Sequence, residues 1–110
     1  MSDASNPSFS DLLQTAQRMQ QEMTRVQSEL GGHTVEGSAG GGMVVATVNG
    51  RQQVVSLRIE REVVDPSDVP MLQDLVVAAV NQGLAKSMEL AQQEMAKVTG
   101  GLGVRLPGMP

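Results

Sequence analysis

Cysteine, tryptophan and tyrosine are absent from this 110-residue sequence, and Phe9 is its only aromatic residue. The absence of cysteine excludes disulfide bonds, thiolate catalysis and cysteine-ligated zinc sites. Because aromatic side chains are so scarce, valine, leucine, alanine and the eight methionines must fill the core. Methionine is flexible and fills irregular gaps, so it suits helix seams and adaptable surfaces.

Long apolar runs and a surplus of positive charge are missing as well. No apolar run approaches the roughly 18 residues that a membrane-spanning helix needs, and the polar, acidic start of the sequence has no feature of a secretory signal. We therefore expect a cytoplasmic protein without a membrane partner. The formal net charge of −4 argues against strong, indiscriminate binding to nucleic acid, which depends on the neutralisation of many phosphates.

The first recognisable element is an amphipathic helix. Its apolar residues alternate spacings of four and three over residues 12–30, which is typical of a helix packed lengthwise on another helix. The pattern predicts a start near Phe9, after an N-cap at Ser8 or Ser10. It also predicts an end at Gly31-Gly32, where glycine accepts the left-handed conformation.

A short antiparallel sheet is predicted next. Residues 34–39, 43–48 and 51–60 have the composition of strands, and three consecutive glycines supply the first turn. Asn49-Gly50 is typical of a two-residue hairpin loop, because both positions accept positive φ.

That loop determines the predicted pairing of the second and third strands. Val48 would face Arg51, and Val44 would face Val55. One face of the sheet would then carry an apolar set that consists of Val44, Ala46, Val48, Val55, Leu57 and Ile59.

A second, longer helix is predicted over residues 69–99, with its end at Gly100-Gly101. The run LVVAAV at 75–80 is apolar on all sides, so we expect it to be buried on all sides. The second half of the helix returns to an apolar seam of Leu84, Met88, Ala91, Met95 and Val98.

Together these elements predict an α+β fold of helix, three-stranded antiparallel sheet and helix. We expect one domain over residues 9–99, between a flexible leader at 1–8 and a flexible, Gly/Pro-rich tail at 100–110. Helices of about 33 and 45 Å are too long to be covered by strands of about 20 Å. The helical arms should therefore pair beyond the sheet, and two copies should form an intertwined homodimer. The predicted dimer core consists of Leu75, Val76, Ala79, Val80, Val55 and Leu57.

No set of side chains predicts catalysis. The lone His33 has no second His or Cys to assist it, so we expect it to be solvent-exposed and without a chemical role. The glycines within 37–42 lead into a strand, whereas a phosphate-binding loop leads into a helix. We expect no enzyme activity, no catalytic or metal-binding residue, no cofactor and no small-molecule substrate.

Polar residues opposite the two apolar seams are candidates for DNA contact. Arginine and lysine can contact phosphates, and glutamine can hydrogen-bond phosphates or base edges. The candidates are Gln14, Arg18, Gln21, Arg25, Lys86 and Lys97. The competing interpretation is an ordinary solvated face with helix ion pairs. Those pairs would be Arg18–Glu22, Arg25–Glu29 and Glu94–Lys97.

Three segments carry a family resemblance: VEGSAGGGMVVATVNG at 35–50, MLQDLVVAAVNQGLAKSMELAQQEM at 71–95 and TGGLGVRLPGMP at 99–110. In this order they resemble the YbaB/EbfC family of bacterial nucleoid-associated proteins, over nearly the whole chain beyond the leader. The resemblance implies a homodimer with tweezer-like helical arms on a joined β core. It implies a cytoplasmic, nucleoid-associated DNA-binding protein that affects gene expression or DNA maintenance, with no catalysis and no cofactor. It places DNA binding on the arms, around Arg18, Gln21, Arg25, Lys86 and Lys97.

Two functional hypotheses follow. The first is a non-enzymatic protein of the nucleoid that binds double-stranded DNA as a homodimer through its arms. The alternative is a protein-interaction adaptor with little DNA affinity, in which a partner's helix packs on methionine-rich seams. The methionines concerned are Met19, Met23, Met88 and Met95.

Overall fold

The computed structural model describes residues 8–101. Its elements are α1 (Phe9–Leu30), β1 (Thr34–Ala39), β2 (Val44–Asn49), β3 (Val54–Ile59), a short 3-10 helix (Arg61–Val63) and α2 (Val69–Gly101). The strands form one antiparallel sheet in the order β1–β2–β3, which confirms the predicted α+β architecture. Of the predicted flexible leader (1–8) and tail (100–110), residues 1–7 and 102–110 lie outside the described residues, whereas Ser8 caps α1 and residues 100–101 belong to α2.

The start of α1 is set by a capping box. The Ser8 hydroxyl accepts a hydrogen bond from the Asp11 amide at 3.2 Å, and the Asp11 carboxylate accepts one from the Ser8 amide at 3.3 Å. Each bond satisfies a backbone donor that has no partner within the helix. Of the two predicted N-caps, Ser8 is therefore the one in use.

α1 ends at the predicted Gly31-Gly32, but the backbone conformation of this end differs from its prediction. Gly31 keeps a right-handed backbone with φ of −63°, so the predicted left-handed cap is wrong. The Leu30 carbonyl instead accepts amide hydrogen bonds from His33 at 3.2 Å and from Gly50 at 2.8 Å. Because Gly50 belongs to the hairpin between β2 and β3, a contact from outside the helix adds to the local hydrogen bonds that end α1.

The register of the β2–β3 hairpin also differs from its prediction. Val44 pairs with Ile59 and Val48 pairs with Val54, with an irregularity after Thr47, so the predicted register is wrong. At the end of the hairpin farthest from its loop, the partner of Val44 lies four residues beyond the predicted Val55. Side chains alternate between faces with a period of two, so this even shift keeps Val44, Ala46, Leu57 and Ile59 on one face. At Val48 the shift is odd, from the predicted Arg51 to Val54.

The Asn49 side chain explains the longer loop. Its Oδ1 accepts amide hydrogen bonds from Arg51 at 2.9 Å and from Gln53 at 3.1 Å. Asn49 thereby stays in β2, and Gln52 adopts the positive φ of 63°. An Asn side chain that bonds to the backbone two residues on favours such a turn.

Gly50 allows the hairpin and the end of α1 to approach each other closely. A Cβ atom on Gly50 would lie 2.7 Å from Leu30 Cδ2 and 2.8 Å from the Leu30 carbonyl oxygen. Both distances are shorter than a carbon atom can normally make with its neighbours. The absence of a side chain at Gly50 therefore allows α1 to end directly on the hairpin.

The main core lies where α2 packs on β1 and β2. Val44 and Ala46 of β2 and Ala79 of α2 are fully buried there. A Cβ atom on Gly37 of β1 would overlap the Ala79 carbonyl oxygen and the Gly83 amide nitrogen. Helix and sheet therefore meet backbone to backbone.

The apolar run at 75–80 is only partly buried. Ala79 is fully buried, but Val77 on the opposite side is 57% exposed, so the prediction of burial on all sides is wrong for the single chain. The helix ends at Gly101, within the Gly100-Gly101 pair at which its end was predicted. Among residues 8–101, no helix combines the length and the hydropathy needed to cross a membrane.

A second cluster joins α1 to α2 beyond the sheet. Val26 and Leu30 of α1 are buried there together with Val98 of α2, which agrees with the predicted pairing of the arms. The first helix ends at the hairpin, whereas the second leaves it after Ser87, whose hydroxyl donates a 2.6 Å hydrogen bond to the Asn49 carbonyl. The two helices therefore run antiparallel.

Candidate nucleic-acid interface

The six predicted DNA-contact residues are all exposed, but they fall into three separate places. Gln14, Arg18 and Gln21 lie on the part of α1 that precedes the cleft; Arg25 and Lys97 line that cleft between the helices; Lys86 lies over β1. The three places differ in how much of their positive charge is already paired within the chain, and this determines what each can offer a phosphate.

Arg25 and Lys97 belong to a mixed-charge cluster. The Arg25 guanidinium contacts the carboxylates of Glu22 and Glu29, each at 2.7 Å, and Lys97 Nζ lies 3.0 Å from a Glu94 oxygen. All five side chains line one cleft of about 120 Å³. Three carboxylates against two cations leave this cluster with a net charge of −1.

The titration behaviour of the cluster follows from these contacts. Hydrogen bonds and charge attraction from Arg25 lower the pKa of the Glu22 carboxyl group. The same bonds, together with those to Glu29, raise the pKa of Arg25. Both shifts favour the charged, paired forms at neutral pH. A DNA phosphate would therefore compete with carboxylates of the same helix for Arg25.

Lys86 has a structural contact that the sequence did not predict. Its Nζ donates a 2.9 Å hydrogen bond to the Glu36 carbonyl of β1, and Gln82, one turn earlier in α2, accepts a 2.7 Å hydrogen bond from the Ser38 amide. Both partners lie on the outer edge of the sheet, where backbone groups lack a neighbouring strand. The Glu36 carbonyl is neutral, so Lys86 retains its positive charge in this contact.

Arg18 is the unpaired cation of the predicted set. It is exposed and forms no ion pair within residues 8–101. The i,i+4 pair predicted with Glu22 does not form, because Glu22 bonds to Arg25 instead. Gln14 and Gln21 lie one turn on either side of Arg18, so this face of α1 offers a free charge flanked by polar groups.

Arg51 is a candidate that sequence reasoning missed. It lies in the hairpin loop, is exposed, and lines an open cleft of about 300 Å³ together with Gln27 and Gln52. It forms no ion pair with any residue that the structure describes. Its position directly after Asn49-Gly50 could have identified Arg51 from the sequence, because loop residues on a rigid scaffold often carry function.

The predicted dimer-core residues divide into two groups. Leu75, Val76, Ala79 and Val80 of α2 pack on the chain's own sheet, with Ala79 fully buried. Val55 and Leu57 of β3 are 58% and 42% exposed. The helix covers β1 and β2 and leaves these two side chains of β3 uncovered.

His33 is exposed, as predicted.

A family model described as the YbaB/EbfC DNA-binding family matches residues 6–102. The chain belongs to the YbaB/EbfC DNA-binding family. This match covers all of the described elements, including both arms and the sheet, and it confirms the resemblance that the sequence segments suggested.

Relatives within the YbaB/EbfC family are similar over most of their length. A protein of Syntrophobacter fumaroxidans is 56% identical over 100 residues, which covers 88% of this chain and 91% of the relative. A protein of Pelotomaculum thermopropionicum is 48% identical over 101 residues, which covers 92% of this chain and 94% of the relative. Both are named nucleoid-associated proteins.

A solved structure shares the YbaB/EbfC-type fold found here. The crystal structure of an uncharacterised protein of Helicobacter pylori superposes with a TM-score of 0.72 at 24% sequence identity. The superposition covers 80% of this chain and 92% of that protein. At this level of identity the likeness supports the arrangement of helices and strands and nothing more specific.

Proposed function

We propose that this protein is a non-enzymatic, nucleoid-associated protein of the cytoplasm that binds double-stranded DNA as a homodimer and influences gene expression or DNA maintenance. The observation that carries the proposal is the match to a DNA-binding family over residues 6–102. The names of the relatives support the location in the nucleoid. The same match favours DNA over the adaptor alternative.

The contacts to DNA are proposed to be electrostatic and few. Within the predicted set, Arg18 offers a free charge, Lys86 a charge held beside β1, and Arg25 and Lys97 charges that carboxylates already offset. Gln14 and Gln21 would add hydrogen bonds to phosphates or base edges, and Arg51 extends the set to the hairpin. Positive charge at separated points suits contact with a phosphate backbone rather than the readout of one base pair.

A matched pair of arginine variants tests this ranking. We expect Arg18→Gln to weaken DNA binding and to reduce the dependence of log K on log salt by about 0.9 for each phosphate that the variant no longer neutralises. Arg25→Gln should change the slope by less than half as much, because Glu22 and Glu29 already offset that charge. The measurement is a mobility-shift or anisotropy titration with duplex DNA across a salt series.

Two outcomes would count against the proposal. Wild-type protein that binds no duplex even at low salt would contradict the function itself. Equal slope changes in the two variants would contradict the ranking of the cations while leaving the function standing.

The homodimer is proposed from the uncovered face of β3. The edge of β1 is occupied by side chains of α2, whereas Val55 and Leu57 of β3 and Val77 on the outward side of α2 keep apolar surface in solvent. Side chains of this size each gain about 1.5–3 kcal/mol when they are fully buried. A second copy that packs on β3 and the N-terminal half of α2 would bury them, and this agrees with the predicted dimer core.

Leu57→Glu should disrupt that association. We expect the dimer dissociation constant to rise at least tenfold, which corresponds to about 1.4 kcal/mol, because a carboxylate would be placed in an apolar interface. Leu13→Glu is the control, since Leu13 has a similar exposure of 47% but lies on the arm. Sedimentation equilibrium measures both. Wild-type protein that is monomeric at micromolar concentration, or equal effects of the two variants, would refute the proposed interface.

A further inference from the structure

Every charged side chain of α1 lies on one side of the helix. The charged residues follow one another at spacings of seven, four, three and four, which places them on a single stripe. They are Asp11, Arg18, Glu22, Arg25 and Glu29. The remaining surface of α1 is therefore uncharged, and a charge on its opposite side must come from another element.

Three consecutive residues of α1 point in different directions where the helix meets α2. Val26 is buried in the cluster with Val98, and each residue advances about 100° around a helix. Arg25 and Gln27 therefore lie on opposite sides of this contact. Arg25 lines the mixed-charge cleft of about 120 Å³, whereas Gln27 lines the cleft of about 300 Å³ at the hairpin. The arm that consists of α1 and the C-terminal half of α2 thus has one cleft on each side.

The two clefts differ in charge. The described lining of the hairpin cleft consists of Gln27, Leu30, Gly50, Arg51, Gln52 and Met95. Arg51 is the charged residue in this set, and no carboxylate of the described lining offsets it. In the mixed-charge cleft, three carboxylates face two cations. A phosphate would therefore meet an unpaired guanidinium in the hairpin cleft and a net negative charge in the other.

Arg51 is held in position by its surroundings. Its amide donates a 2.9 Å hydrogen bond to Asn49 Oδ1, which fixes the backbone of the loop. A Cβ atom on Gly31 would lie 3.3 Å from Arg51 Cδ, so the Arg51 side chain passes directly over the end of α1. A side chain that is restricted before binding loses less conformational entropy when it binds. The hairpin cleft therefore presents a positioned cation flanked by the amides of Gln27 and Gln52.

Arg18 and Arg51 lie on opposite sides of the arm. Gln27 follows Arg18 by nine residues, which is two and a half turns, so the hairpin cleft opens on the side of α1 that faces away from Arg18. A helix with its side chains is only about 10–12 Å across, whereas duplex DNA is stiff over about 150 base pairs. A duplex along one side of the arm cannot bend around it to reach the other side. The two cations must therefore contact separate segments of duplex.

We propose that the two sides of the arm bind two separate duplex segments, so that the protein bridges DNA. Arg18 would neutralise a phosphate of one segment. Arg51 would neutralise a phosphate of the other, with Gln27 and Gln52 as hydrogen-bond donors. This inference rests on the proposed binding of DNA. The proposed dimer surface, on β3 and the N-terminal half of α2, leaves the arm free for both contacts.

A capture assay with the full-length protein tests bridging. One duplex is immobilised on beads, the protein is added at low salt below saturation, and the retention of a second, fluorescently labelled duplex is measured. Wild-type protein should retain the second duplex. Arg18→Gln and Arg51→Gln should each lower this retention at least about fivefold, because each removes a charge-assisted contact to phosphate. Each variant should still bind the immobilised duplex through the remaining cation.

Two further variants provide the controls. Arg61→Gln removes the same charge from an exposed residue at the opposite end of β3 from the hairpin, and it should leave retention within about twofold of wild type. Arg51→Lys keeps the positive charge and should retain more of the second duplex than Arg51→Gln does. An equal loss in both Arg51 variants would show that the charge is not what binds, and it would overturn the proposal.

The amount of protein on the beads separates bridging from DNA binding itself. Wild-type protein that does not bind the immobilised duplex would contradict the proposed function and the bridging together. Wild-type protein that binds this duplex but retains no second one would overturn bridging alone. If Arg51→Gln retained as much of the second duplex as Arg61→Gln, the hairpin cleft would hold no duplex, and the proposal would be wrong even though DNA is bound.

Discussion

Replacement of Gly37 by alanine is expected to lower the free energy of unfolding by about 3 kcal/mol or more, at the upper end of the range for overpacked cores. The new methyl group would overlap the Ala79 carbonyl oxygen and the Gly83 amide nitrogen and would lie 2.9 Å from Gly83 Cα. All of these atoms belong to the helix backbone. No side-chain rotation can relieve the overlap, so α2 would have to move off the sheet.

Thermal unfolding at a fixed protein concentration measures this loss, since association would otherwise change the apparent stability. The melting temperature should fall by roughly 12–24 °C. Gly32→Ala is the matched control, because a Cβ atom there would meet only the Glu29 carbonyl oxygen at 3.6 Å. A Gly37→Ala protein as stable as the Gly32→Ala protein would show that α2 does not press on β1 as described.

Replacement of Asn49 by alanine is expected to cost about 1–3 kcal/mol, since each of the two hydrogen bonds to its side-chain oxygen contributes about 0.5–1.5 kcal/mol. Asn49 is 6% exposed, and its Oδ1 is the acceptor for the amides of Arg51 and Gln53. The loop would also lose its support at the point where Gly50 contacts the end of α1. We therefore expect the hairpin and the arm to loosen together.

Urea unfolding of Asn49→Ala should be compared with that of Gln53→Ala. The second change removes only the 2.9 Å hydrogen bond from Asn49 Nδ2 to Gln53 Oε1 and should cost no more than about 1 kcal/mol. Hydrogen exchange at the amides of Arg51 and Gln53 should accelerate in the first variant only. If both variants lost the same stability, the two amide bonds to Oδ1 would contribute nothing measurable.

The pairing of charges on the arms explains how a chain with a net charge of −4 can belong to a DNA-binding family. Arg25 and Lys97 are offset by Glu22, Glu29 and Glu94 within the same two helices. The free positive charge is therefore concentrated at a few sites, Arg18 among them. An interface of this kind should bind DNA with a shallower salt dependence than a uniformly basic one.

The order and type of the elements could be predicted from the sequence, because they depend on neighbours along the chain. The apolar spacing over 12–30 defined α1, the glycines at 40–42 defined the first turn, and Ser8 supplied the cap. Gly40, Gly41 and Gly42 all have positive φ, as a turn of three glycines permits. The exposed positions of Gln14, Arg18 and Gln21 followed from the same helical periodicity.

The features that could not be predicted from the sequence were decided by contacts between residues far apart along the chain. The hairpin register depends on the Asn49 side chain and on Gly50 against Leu30, and the meeting of helix and sheet depends on Gly37 against Ala79 and Gly83. Likewise, periodicity placed Arg18 and Arg25 on one stripe, but only the folded arrangement of carboxylates shows that one is free and the other paired. The sequence alone determined which elements form, because local propensity is sufficient for that. Only the tertiary structure decided which backbone atoms meet and which charges remain available, because both require the elements to be packed together.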